Sequence, residues 1–136
     1  MKKVNILASL FAGLLMFSAC EADRDSNPVY QEPTKFVLNT PAYVNTVYDL
    51  EHSTSLELTC SQPDYGFTAA TYYAVQVSLT EDFSSFEELS TQYTTAKMNV
   101  DASELAVAAT NMKVAEGALE EDFPMIAPLY IRLRAY

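Results

Sequence analysis

The sequence predicts an all-β fold, an antiparallel sandwich with one short helix, on three observations. Residues 55–60, 71–80 and 129–136 alternate apolar and polar side chains, the two-residue period of strands that bury one face. Turn formers punctuate them, in Asn39-Thr40-Pro41 and Gln62-Pro63-Asp64-Tyr65-Gly66, where Pro presets φ, Asp bonds nearby backbone and Gly permits unusual dihedrals. A single stretch carries clear helical spacing, with Leu105, Ala108, Ala109 and Met112 at i, i+3, i+4 and i+7.

Before the strands comes a leader. Lys2-Lys3, an apolar run from Val4 to Phe17, the small pair Ser18-Ala19 and then Cys20 form, in that order, a bacterial lipoprotein signal peptide over residues 1–19. The apolar run falls short of the roughly 20 residues of a membrane span, and a plain secretory signal with a chance cysteine is the competing reading. Cleavage before Cys20 makes it the N-terminus and the carrier of acyl chains. Each buried CH₂ contributes about 0.8 kcal/mol, so two or more chains hold a protein stably at a membrane. Residues 20–34 then form the acylated cysteine and an acidic tether, with Pro28 and Pro33 favouring extended backbone and too few apolar residues to offset ordering.

The folded domain is expected over residues 35–136. Phe36-Val37-Leu38, stopped by Asn39-Thr40-Pro41, reads as a first edge strand. In 55–60, Leu56, Leu58 and Cys60 share one face and Ser55, Glu57 and Thr59 the other. In 71–80, Tyr73, Val75, Val77 and Leu79 oppose Tyr72, Ala74, Gln76 and Ser78, the best strand and the expected centre of the core. Residues 86–90 and 92–95 give weaker strand signals, and 98–100 continues them. Asp101-Ala102-Ser103-Glu104 is a capping-box pattern, the Asp101 carboxylate accepting N–H bonds and Glu104 reaching back to the helix start; Gly117 is the stop. In the last strand Leu129, Ile131, Leu133 and Ala135 turn inward, opposite Tyr130, Arg132, Arg134 and Tyr136. A strand so apolar belongs inside a sheet, and a free edge is an aggregation liability, so the expectation is a sandwich lacking its last strand. A complete domain whose terminal strand pairs elsewhere is the alternative.

Charge narrows the functions. Eight Lys and Arg stand against eighteen Asp and Glu, and losing Lys2 and Lys3 with the leader deepens the net charge of −10 by two more units. No basic stripe is present to neutralise phosphates, which excludes nucleic acid as a partner. With Cys20 acylated, Cys60 has no partner for a disulfide, and its place in an alternating strand makes it a small buried hydrophobe. His52, the sole histidine, reads as a surface residue and cannot support a histidine metal cluster. No cofactor or metal is indicated, and no catalytic residue is assigned.

At this point a likeness emerges. The acidic stretch after Cys20, Phe36-Val37-Leu38-Asn39-Thr40-Pro41, Leu56-Glu57-Leu58-Thr59-Cys60-Ser61-Gln62-Pro63-Asp64-Tyr65-Gly66 and Tyr73-Ala74-Val75-Gln76-Val77-Ser78-Leu79 together resemble the N-terminal region of SusE-type outer-membrane lipoproteins. The resemblance implies an immunoglobulin or fibronectin type III-like domain, followed in that family by carbohydrate-binding domains. It further implies starch or related glycan capture at the cell exterior, beside a TonB-dependent transporter and a SusD-like partner. Glu21, Asp23 and Asp25 sit where the family's surface-export signal lies; a solvated linker is the plainer reading. The family's sugar contacts do not carry over, because they lie in later domains built on Trp and Tyr platforms and this chain contains no Trp.

Tyr72, Tyr130 and Tyr136 are the outward aromatics that could stack on a sugar ring, with an ordinary sheet-surface tyrosine as the competing role for each. The expected function is a non-enzymatic glycan-acquisition lipoprotein whose folded region is a spacer or docking module. A structural or adhesin-like surface lipoprotein is the alternative. Catalysis is disfavoured: Glu87-Glu88 and Glu120-Glu121-Asp122 read as solvated charge, one histidine cannot build a Ser-His-Asp set, and three glycines form no phosphate loop.

Overall fold

The computed structural model describes residues 31–32 and 35–136. The expected leader 1–19, the expected acylation site Cys20 and the export-signal candidates Glu21, Asp23 and Asp25 lie outside the described residues. The elements are β1 (Ser55–Thr59), β2 (Tyr73–Ser78), β3 (Glu87–Tyr93), β4 (Lys97–Asp101), α1 (Ala102–Ala115), a 3-10 turn (Glu120–Asp122) and β5 (Tyr130–Ala135). They form two antiparallel sheets, β1-β4 and β3-β2-β5. The arrangement is the sandwich-like all-β fold with one short helix that the alternation predicted.

Register follows the apolar pattern. Leu56 pairs with Val100 and Leu58 with Met98, all four buried with Cys60 against Tyr73, Val75 and Val77 of β2. Phe36-Val37-Leu38 is a correction. It makes an isolated bridge, Leu38 with Cys60, closed by backbone bonds from Asn39 N to the Thr59 carbonyl and from Ser61 N to the Val37 carbonyl. The ladder goes no further because the next N–H, that of Val37, is taken by a side chain. Val37 N–H donates to Ser61 Oγ at 2.7 Å, and Asn39 Nδ2 donates to Thr59 Oγ1 at 2.9 Å. Tyr43 and Tyr48 complete the cover of β1. Their hydroxyls donate to the carbonyls of Glu57 and Ser55, so an edge that would invite another strand is occupied.

The two weak signals at 86–90 and 92–95 are one strand with a bulge. Gln92 pairs with Ala74 and Glu88 with Gln76, leaving Leu89, Ser90 and Thr91 opposite Val75 alone, which disrupts the two-residue period. The N–H groups freed there are held from the helix. Glu104 Oε1 accepts from Ser90 N at 2.6 Å, Ser90 Oγ at 2.6 Å and Thr91 N at 3.1 Å. This corrects the capping box. Asp101 caps α1 as expected, accepting from Ser103 N at 2.8 Å and Glu104 N at 3.1 Å, but Glu104 is drawn to the sheet, where unpaired donors outbid its own helix start.

Helix α1 buries Ala102, Leu105, Ala108 and Met112 and packs on β1, β2, β3 and β4. Gly117 ends it at φ +105°. Its N–H donates to the Val114 carbonyl at 2.9 Å and that of Ala118 to Lys113 at 3.0 Å, the pair of bonds that defines a Schellman stop.

Candidate binding face on the three-stranded sheet

β5 sets this face. Ile131, Leu133 and Ala135 pack on the core, so Tyr130, Arg132, Arg134 and the following Tyr136 project from the opposite side. Pairing with β2 sets Tyr130 beside Ser78, Arg132 beside Gln76 and Arg134 beside Ala74. Tyr72 and Tyr136 exchange backbone N–H to carbonyl bonds of 3.0 Å in each direction. Among the described residues no strand lies beyond β5.

All six residues of β2 are buried, including those on the side expected to face solvent. The reason lies in a polar chain running across the strands. Arg132 Nε donates to Gln76 Oε1 at 2.6 Å, Gln76 Nε2 donates to Glu88 Oε2 at 2.7 Å, and Arg134 Nη1 reaches the same oxygen at 3.4 Å. Gln76 is 6% exposed, and its amide is bonded at both ends, which removes most of the penalty for burying it. The Arg132 guanidinium lies 4.4 Å from the Phe83 ring centroid and 4.8 Å from that of Phe86. Two aromatic faces thus hold one cation.

Phe83 reaches that position from a left-handed backbone, φ +51°, a conformation that costs an L residue about 1–2 kcal/mol. Local bonds hold the loop. Asp82 Oδ1 accepts from Thr80 Oγ1 at 2.7 Å and Ser84 N at 3.1 Å, and Ser78 Oγ donates to the Ser85 carbonyl at 2.7 Å. The Thr80 hydroxyl, then Ser84, keep the Asp82 carboxyl below its ordinary pKa.

At the other end of the face the rings of Tyr72 and Tyr136 stack, centroids 6.1 Å apart and planes inclined by 26°, with the Arg134 guanidinium 5.0 Å from the Tyr136 centroid. Both tyrosines are exposed, at 44% and 45%. Such a patch offers ring surface beside a guanidinium and a carboxylate, the combination that stacks on a ring while directing hydrogen bonds. The structure therefore brings Tyr72 and Tyr136 together and leaves Tyr130 apart, six residues and about 20 Å along the strand. Sequence reasoning missed Gln76, Glu88, Phe83 and Phe86. The outward alternation of Tyr130, Arg132, Arg134 and Tyr136 already held the signal for the two arginines.

Other singled-out residues are accounted for locally. His52 Nδ1 lies 2.8 Å from Asp49 Oδ2 on the surface, a bond that raises the imidazole pKa. Burial pushes the Cys60 thiol up. Its neighbour, the Tyr73 hydroxyl, is buried with no oxygen or nitrogen partner. Among the described residues no group of three His, Cys, Asp or Glu could hold a metal ion, and no helix is long and apolar enough to cross a membrane.

No solved structure matches the chain significantly. The family described as SusE outer membrane protein matches residues 22–134. That span includes both sheets, the helix and nearly all of β5, and on this breadth the chain belongs to the SusE outer membrane protein family, which places it at the outer membrane in the setting of polysaccharide utilisation.

Proposed function

We propose that the protein is a non-enzymatic surface lipoprotein of a starch or related glycan utilisation system, its folded domain serving as a spacer or docking module for carbohydrate-binding domains. The family match over residues 22–134 carries this reading. The leader supports it, since Cys20 is placed to receive the acyl chains and Glu21, Asp23 and Asp25 follow as an acidic export signal. The protein then hangs from the outer membrane on the exterior side, beside a TonB-dependent transporter and a SusD-like protein. The Tyr72–Tyr136 patch, with Arg134 and Glu88, is the surface of this domain suited to a contact with glycan or partner.

Two measurements test the proposal. Palmitate fed to cells is expected to label the wild-type chain and not Cys20→Ala; label retained by the variant refutes the anchor. Residues 21–136 are expected to run unretarded in native gels cast with starch, while a longer version carrying the carbohydrate-binding domains is held back. Retardation of the short form moves sugar binding onto this domain, and Tyr72→Ala and Tyr136→Ala then become the first variants to run. Retardation of neither form, with self-association, supports the adhesin-like alternative.

A further inference from the structure

We infer that the corner formed by residues 62–71 is the surface this domain presents to the membrane holding its acyl chains. The first observation is a docked tether. The Gln31 N–H donates to the Tyr65 carbonyl at 3.1 Å, and the Gln31 side chain fills the space above Gly66. A Cβ on Gly66 would stand 2.8 Å from Gln31 Cγ and 2.9 Å from Cδ. Gly66 is also left-handed, φ +80°, with its N–H donating to Asp64 Oδ1 at 2.8 Å. Glycine is therefore favoured by its dihedral, and its missing Cβ leaves the seat that the Gln31 side chain takes.

The second observation is reach. Eleven residue steps separate Cys20 from Gln31, at most about 40 Å when fully extended and roughly 18 Å as a flexible coil. Because Gln31 is fastened to the corner, the chain arriving from the membrane meets the fold there, and the domain cannot turn freely about a longer leash.

Charge is the third. The hollow at this corner, about 300 Å³, is lined by Gln62, Pro63, Tyr65, Phe67, Thr71 and Thr94 among others, none of them charged. Asp64, which accepts from the Gly66 N–H, is the one charged residue of the corner, and from Tyr65 to Thr80 the chain carries no acidic or basic residue, in a protein of net charge −10. An anionic lipid surface acts on fixed charges by about 1 kcal/mol each, so carboxylate-rich faces are held off more strongly than this corner, where Asp64 is the one charge between residues 62 and 71. Phe67, 40% exposed, and Tyr65 supply the aromatic rings that settle at a headgroup boundary. Tyr72 follows directly on Thr71, so the Tyr72–Tyr136 end of the binding face lies toward the membrane and Tyr130 away from it.

The inference rests on acylation of Cys20, proposed above, and its test separates the two. The chain contains no Trp, so Phe67→Trp and, on the helix, Val107→Trp each introduce a single reporter. Both are made in the acylated full chain and bound to vesicles of brominated anionic phospholipid. Trp emission at position 67 is expected to be quenched several-fold more than at 107. Adding Gln31→Pro, which removes both the N–H donated to Tyr65 and the side chain over Gly66, is expected to collapse that difference while circular dichroism stays native. Gly66→Ala is a second route to the same collapse.

Equal quenching at 67 and 107 in protein that floats with the vesicles overturns the orientation alone. A wild-type chain that takes up no palmitate and does not float overturns the anchor, and the orientation with it. An emission change at 67 caused by soluble polysaccharide and not by lipid overturns the inference in favour of a sugar site in the hollow.

Discussion

Removing the carboxylate of Glu104 tests the claim that the helix holds the bulge of β3. One oxygen accepts three bonds, from Ser90 N, Ser90 Oγ and Thr91 N. Charge-assisted bonds contribute about 1.5–3 kcal/mol each when fully made. Glu104 is only half-buried, and screening by solvent brings the sum for Glu104→Ala down to about 2 kcal/mol. For a domain of this size that is a fall in Tm of roughly 10 °C. Glu104→Gln keeps an acceptor and loses the charge, so about half the effect is expected.

The sign with pH follows from the carboxyl group itself. Burial acts to raise its pKa, and the bonds from Ser90 and Thr91 outweigh burial and lower it. A depressed carboxylate contributes stability that is complete above the unfolded value, roughly 4.3 for Glu, and is lost as pH falls through the folded one. The gap between wild type and Glu104→Gln should therefore close on acidification below that value. Urea denaturation followed by circular dichroism at pH 7 and at pH 3 measures both numbers. A Glu104→Ala protein within about 0.5 kcal/mol of wild type at pH 7, or a gap to Glu104→Gln that persists at pH 3, would refute the reasoning.

Other predictions rest on different parts of the fold. Leu58→Ala, at 2% exposure in the contact between sheets, is expected to lose about 3–4 kcal/mol in the same urea titration. Arg132→Ala removes two ring contacts and leaves the Gln76 carbonyl oxygen unpaired, a loss of about 2 kcal/mol; Arg132→Lys should restore little of it, since an ammonium cannot lie flat between Phe83 and Phe86 while bonding the amide. Gly117→Ala meets nothing within 4 Å of the new Cβ, so its cost should be backbone strain alone, about 1 kcal/mol. Cys60 in a chain starting at residue 21 should resist a thiol reagent at pH 8 until denaturant opens the domain, because burial both shields the sulfur and raises its pKa; fast labelling of the native protein would contradict this.

The strands that alternate without interruption were legible because burial on one face is written directly into a two-residue period. β1, β2 and β5 are of this kind, and the helix was equally plain from the stripe of Leu105, Ala108 and Met112. The bulge in β3 was not, since a local excess of residues on one strand erases the period that announces a strand. Nor was the cover over β2. Gln76 and Ser78 read as solvent-facing; Gln76 is instead held between Arg132 and Glu88, which strand order brings to it, and the Ser78 hydroxyl donates to the Ser85 carbonyl of the following loop. Glu104 shows the same limit at smaller scale, where a local motif named the right residue and the tertiary neighbours chose its partner. For the binding face, the tyrosines could be placed outward one by one, but that Tyr72 meets Tyr136 while Tyr130 stands apart follows from antiparallel register.

The seat of α1 across both sheets decides how the domain opens. A two-stranded sheet such as β1-β4 has little stability of its own, and the helix that closes it also rests on β2 and β3. Undocking α1 therefore exposes both inner faces together, and amides as far apart as Leu58 and Val75 should exchange with deuterium through one shared opening. β5, hydrogen-bonded along one edge among the described residues, should exchange earlier and by a smaller fluctuation. The candidate binding face would thus belong to the most readily opened strand of the sheet, while the seam beneath it stays shut.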